Sequence, residues 1–150
     1  MFLYRHRTDG TRLEISYPFL VEIFNFKFPK KGSLADLLKT PNFVLTDSQF
    51  RTVSFSVAKA MVYLHSHKPE ILHRDLKAGN VLISGDLHSP NQLQVKVADF
   101  GLSCTLEFLT SSNQLSVGDI ISRAPEIIKN PFAYSVKSDV FRFIFPHFNI

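Results

Sequence analysis

The stretch ILHRDLKAGNVLIS, residues Ile71 to Ser84, decides how this chain reads. His73, Arg74, Asp75, Lys77 and Asn80 bring two cations, a carboxylate, an imidazole and an amide together within eight residues. The apolar run Val81-Leu82-Ile83 follows at once and has the composition of a buried strand. Polar side chains beside a rigid apolar element are held in fixed geometry, which is what chemistry needs.

Working outward, Leu93, Val95 and Val97 form a second alternating run, and the intervening loop holds Gly85, Asp86 and Pro90, so a hairpin is expected. On the N-terminal side, Thr46-Asp47-Ser48-Gln49 fits a capping box. Behind it Phe50, Val53, Val57, Met61 and Leu64 recur at three and four, predicting a helix with one apolar face that closes over His65 to Pro69. A shorter helix is expected over Leu34 to Lys39, with Ser33 as N-cap and Asp36 in its first turn. Pro41 ends it, because the residue before a proline is pushed out of the helical region. Residues 1–31 read as strand-like pieces with a turn at Thr8-Asp9-Gly10-Thr11. Residues 103–123, rich in Ser and Thr, read as a surface loop. A last helix is expected from near Ser135, with Pro146 breaking it.

The bulk numbers set bounds. A chain of 150 residues, 45% hydrophobic and 20% charged, suits one globular domain. Its formal charge of +4 comes from scattered rather than massed basic residues, which gives nucleic-acid binding little support. Cys104 is the only cysteine, so neither an intramolecular disulfide nor a multi-cysteine metal site is possible, as a reducing compartment would have it. The N-terminus has no signal-peptide run, and Tyr17 to Phe28 is too short to span a bilayer and is interrupted by Glu22 and Asn25. The expectation is a soluble, cytoplasmic protein without a membrane partner. His65 and His67 read as solvated residues at a helix end rather than a metal pair, and the phenylalanines of 19–28 and 141–148 as core strands rather than a cofactor box.

Four motifs then stand in order. His73-Arg74-Asp75-Leu76-Lys77-Ala78-Gly79-Asn80 matches H-R-D-L-x-x-x-N at every fixed position, Asp99-Phe100-Gly101 is D-F-G, Ala124-Pro125-Glu126 is A-P-E, and Ser138-Asp139-Val140 is S-D-V. On these motifs the chain resembles the protein kinase superfamily, its serine/threonine and tyrosine-kinase-like branches, over roughly residues 30–143. The resemblance implies an α+β, protein-kinase-like fold, partial: the hinge and a mainly α-helical C-lobe with a small β-hairpin, most of the N-lobe and the last helices missing. It divides the chain into an N-lobe and hinge remnant (1–31), a C-lobe with catalytic loop and activation segment (32–143) and a non-matching tail (144–150).

The resemblance further implies ATP-dependent phosphoryl transfer to the Ser or Thr of a protein substrate, with Mg²⁺. Asp75 would orient the substrate hydroxyl and take its proton, Lys77 would neutralise the γ-phosphate, Asn80 and Asp99 would hold Mg²⁺, and Leu82 would lie under the adenine. His73 and Phe100 would belong to a packed column, and Asp139 would accept backbone hydrogen bonds from the catalytic loop. Arg74 would pair with a phosphorylated activation loop, with Thr105, Thr110, Ser111, Ser112 and Ser116 as candidate acceptors. Cys104 reads as an ordinary loop residue.

Some positions depart from the pattern. Only Gly10 and Gly32 precede His73, so the sequence holds no G-x-G-x-x-G loop, and Val57-Ala58-Lys59 echoes V-A-I-K from inside a helix. The strand lysine that in the family positions the α- and β-phosphates is therefore not found, and losing one electrostatic contact of this sort costs about 10²–10³ in rate. Asp119 stands where the family has threonine and would set a like charge near Asp75. Arg142 replaces a small residue and Ile144 replaces a glycine, and Glu126 is expected to lack the ion pair it has in the family. The expectation is weak or no transfer by this chain, with a catalytically inactive interaction module, or a non-functional kinase remnant, as the rival reading.

Overall fold

A computed structural model describes residues 2–3, 15–16, 32–89, 92–112 and 123–148. Strands β1 (Phe2–Leu3) and β2 (Ile15–Ser16) pair antiparallel. The turn expected at Thr8–Thr11, the segment Tyr17–Phe28, Ser116 and Asp119 lie outside the described residues.

Helix α1 (Leu34–Leu38) begins where expected. The Asp36 N–H donates to Ser33 Oγ at 3.2 Å, and the Ser33 N–H donates back to Asp36 Oδ2 at 2.9 Å. Helix α2 (Asp47–His65) starts on a second capping box, with Thr46 N–H to Gln49 Oε1 at 2.8 Å and Gln49 N–H to Thr46 Oγ1 at 3.3 Å. Gln49 also donates Nε2 to the Leu87 carbonyl at 2.8 Å, tying the helix start to the hairpin loop. Val53, Val57, Met61 and Leu64 are buried as expected, but in the first turn Gln49, tied to that loop, goes in and Phe50 is exposed.

Strands β3 (Ile71–Leu72), β4 (Val81–Ser84) and β5 (Gln94–Val97) follow. β4 and β5 make the expected hairpin in the register Val81 to Val97 and Ile83 to Val95. Its loop needs a glycine: Gly85 has φ +89°, and a Cβ there would lie 2.1 Å from the Gln92 carbonyl oxygen. The Ile83 N–H donates to the Gly32 carbonyl at 3.0 Å, fastening the start of α1 to the hairpin. Leu34, the buried face of α2, Ile71, Leu76, Val81 and Ile83 form one core.

The sequence reading of the elements fails over residues 103–123 and in the last helix. The stretch expected as a loop contains β6 (Cys104–Thr105), antiparallel to β3, and helix α3 (Leu106–Ser112). Thr105 is the cap: its Oγ1 accepts the Phe108 N–H at 3.2 Å, so a residue that reads as loop composition starts a helix. Cys104 is accordingly buried in a second core with Leu72, Leu109, Ala124, Ile127 and Tyr134, not an ordinary loop residue. Helix α4 (Pro125–Lys129) carries Pro125 in its first turn, where its missing N–H costs nothing. Helix α5 (Val136–Phe148) runs through Pro146 instead of breaking there, and it holds the phenylalanines of 141–148, expected as a core strand, in a helix. A proline so near the helix end forfeits one backbone bond and leaves two helical residues beyond it. The result is α+β, helices with small antiparallel sheets, and no described helix is long and apolar enough to cross a membrane.

Candidate active site

The loop after β3 is held from below by α5. Asp139, fully buried in the first turn of α5, accepts the His73 N–H on Oδ2 at 2.8 Å and the Arg74 N–H on Oδ1 at 2.9 Å. These two bonds fix a segment whose backbone is unusual, since Arg74 sits at φ +67°. A non-glycine residue there is uncommon and persists only where the surroundings impose it.

Asp75, held in this way, is 4% exposed. Its Oδ2 accepts from Lys77 Nζ at 2.7 Å and from Asn80 Nδ2 at 3.1 Å, and its Oδ1 from Arg142 Nη1 at 3.3 Å. Asn80 Nδ2 also donates to the Asp75 carbonyl at 2.8 Å. Asp75, Lys77 and Asn80 are therefore brought together as one hydrogen-bonded set. The Lys77 side chain is 41% exposed, whereas that of Arg142 is 1% exposed.

The hairpin brings Asp99 to the same place. Val81 faces Val97 in the register, so Asn80 and Ala98 lie opposite each other at its open end, joined by the Ala98 N–H to the Asn80 carbonyl at 2.8 Å. Asp99 comes next, exposed, at φ +61°, with Oδ1 accepting the Gly101 N–H at 3.2 Å. Leu82, half-buried on β4, points to the other side of the hairpin from buried Val81 and Ile83.

His73 stands behind the set. Its ring lies 5.0 Å from that of Phe100, the contact the packed column requires. Nδ1 accepts the Asp75 N–H at 3.3 Å and Nε2 is 3.1 Å from the Ala98 carbonyl, which assigns the proton to Nε2 in a neutral ring. Burial holds His73 below its ordinary pKa, opposed by the nearby charge of Asp139 and by the Ala98 carbonyl.

The donor set suits magnesium. Asn80 commits its amide nitrogen to Asp75, which leaves its carbonyl oxygen, and Asp99 offers an exposed carboxylate. Mg²⁺ takes hard oxygen ligands, commonly one or two carboxylates completed by phosphates and water. The described residues hold no cluster of three His, Cys, Asp or Glu side chains that would serve as a self-sufficient metal cage.

Several partners were not foreseen. His65 is not a solvated helix end: its Nε2 lies 3.0 Å from Asp139 Oδ2, which adds a third bond to that carboxylate. Arg74 is fully buried, with Nη1 3.2 Å from Cys104 Sγ and its guanidinium 5.1 Å from the centre of the Tyr134 ring. Glu126, expected without its ion pair, accepts the Ser138 hydroxyl at 3.2 Å. Arg142, marked only as a departure, reaches Asp75. No local pattern announces these contacts, because the partners are 12 to 74 residues apart.

Comparison with known proteins agrees with the motifs. The protein kinase domain model matches residues 21–143. Serine/threonine-protein kinase dst4 of Dictyostelium discoideum is 37% identical over 113 residues, covering 73% of this chain and 21% of that protein. From the same organism, serine/threonine-protein kinase 4 homolog B is 34% identical (73% of this chain, 9% of that protein), and probable serine/threonine-protein kinase drkC is 37% identical (75% and 14%). The chain thus spans about a fifth or less of the length of these relatives. With the model matched over most of its length, this chain belongs to the protein kinase domain family.

Proposed function

We propose that the site transfers the terminal phosphoryl group of ATP to a serine or threonine hydroxyl of a protein. The family generally uses ATP and Mg²⁺. The observation that carries the reading is the convergence of Asp75, Lys77 and Asn80 in one hydrogen-bonded set, with Asp99 delivered beside Asn80 by the hairpin register. Phosphoryl transfer is mostly positioning and charge neutralisation, and this set offers both.

In this reading Asp75 accepts the hydrogen bond of the substrate hydroxyl and takes its proton as the oxygen bonds to phosphorus and the bond to the departing ADP oxygen breaks. Lys77 leaves Asp75 to meet the γ-phosphate, a movement its exposure permits. Asn80 and Asp99 hold Mg²⁺, which when bound supplies charge neutralisation on the phosphate oxygens. Leu82 provides apolar surface for the adenine. Residues 32–143 form the working unit, residues 1–31 its hinge side and residues 144–150 a tail; a cytoplasmic setting suits the single buried thiol.

The test is transfer of labelled phosphate from Mg-ATP to a serine- or threonine-containing protein. The sequence holds no G-x-G-x-x-G loop, so the expected rate is low. Asp75→Asn should lower it by about 10²-fold or more, the scale of a lost general base. Transfer that survives Asp75→Asn, or no transfer at all, removes the support for this reading.

A further inference from the structure

Helix α5 grips the catalytic loop at three consecutive residues. Asp139 takes the His73 and Arg74 N–H groups, and Arg142, one turn further along the same face, donates Nη1 to Asp75 Oδ1 at 3.3 Å. Its side chain is 1% exposed and that of Asp75 6%. A guanidinium does not shed its proton, and burying it without an anion is costly, so an arginine at position 142 commits the fold to an ion pair. The small residue that the kinase pattern calls for at this position has no reach to Asp75.

We propose that Arg142 is a positioning residue for Asp75. It engages Oδ1 permanently and so fixes the plane of the carboxylate. Oδ2, shared with Asn80 and the exposed Lys77, is then the edge presented to the substrate hydroxyl. One oxygen is structural and the other exchangeable. The inference rests on the reading of Asp75 as the hydroxyl acceptor, and adds the device that orients it.

The experiment is NMR on the isotope-labelled chain and needs no turnover. If Arg142 sets the carboxylate plane, Arg142→Met lets Asp75 rotate away from Asn80. Exchange of the Asn80 side-chain amide protons should then rise about tenfold or more, an effect local rather than global in its opening. Arg142→Lys should restore part of the protection. The His73 and Arg74 backbone amides, held by Asp139, should keep theirs and so report that the loop is still folded. Unchanged Asn80 exchange in folded Arg142→Met, or equal effects of Met and Lys, overturns the proposal. Should Arg142→Met fail to fold, Asp75→Asn in the native background replaces it. The Arg142 side-chain N–H signals are expected to shift there, and unmoved signals overturn the proposal too. A failure here leaves the phosphoryl-transfer reading standing, because that reading is tested separately by Asp75→Asn in the transfer assay.

Discussion

Asp139→Asn probes what holds the site together. The wild-type carboxylate accepts three hydrogen bonds, from the His73 and Arg74 N–H groups at 2.8 and 2.9 Å and, at 3.0 Å, from His65 Nε2. Both oxygens are needed, since Oδ1 serves Arg74 and Oδ2 serves the two histidines. An asparagine is nearly isosteric but has one carbonyl oxygen, and its NH₂ must face at least one N–H donor. One buried donor is then unsatisfied, at about 1–3 kcal/mol, and the remaining bonds lose the charge that strengthened them. The expected loss is about 2–4 kcal/mol, a large share of the stability of about 5–15 kcal/mol usual for a domain. Urea unfolding of both proteins measures it, with hydrogen exchange at His73 and Arg74 localising the damage to the loop. A loss below about 0.5 kcal/mol, within the range of an ordinary surface substitution, would refute the claim that Asp139 anchors this segment.

Two further outcomes follow from the burial of His73 and from the hairpin loop. Because burial keeps the folded-state pKa of His73 below its ordinary 6.5, the unfolded chain binds a proton that the folded chain does not. Its contribution to stability is therefore fully present above pH 6.5 and declines as pH falls below it. Imidazole ¹⁵N NMR at pH 6.5, where an ordinary histidine is half charged, should find His73 more neutral than charged with its proton on Nε2, and a ring more charged than neutral would contradict the assignment. Gly85→Ala should destabilise the hairpin well beyond the roughly 1 kcal/mol of an ordinary loop change, because strain at positive φ adds to a Cβ only 2.1 Å from the Gln92 carbonyl. A urea midpoint equal to that of the parent would show that the loop relaxes.

What was legible in the sequence is what is local. Ser33 with Asp36 and Thr46 with Gln49 declare two helix starts because cap and partner are three residues apart. The hairpin is legible from alternation and from Gly85. The helix after Thr105 was hidden because strand β6 is two residues long and its cap is one hydroxyl in a Ser/Thr-rich stretch. At the site, the motif residues were named from their resemblance to the kinase pattern. The supports beneath them, His65 on Asp139 and Arg142 on Asp75, join elements that come together only when α5 packs under the loop. Nothing in the sequence near His65 or Arg142 names a partner 67 or 74 residues away. Burial reversed the sequence-based view of both: a histidine read as solvated and an arginine read as a mismatch are paired inside the fold.

The central claim is that Asn80 and Asp99 form the end of the site that receives the metal and its phosphates. Paramagnetic broadening by substoichiometric Mn²⁺ with ATP tests it most directly, since it maps the ion without requiring turnover. The account predicts that the Asn80 side-chain amide and the Asp99 and Gly101 backbone amides broaden first, and that Asp99→Asn weakens the effect. Broadening centred on exposed carboxylates elsewhere, such as Asp36 or Glu107, or none at the hairpin's open end, would contradict it.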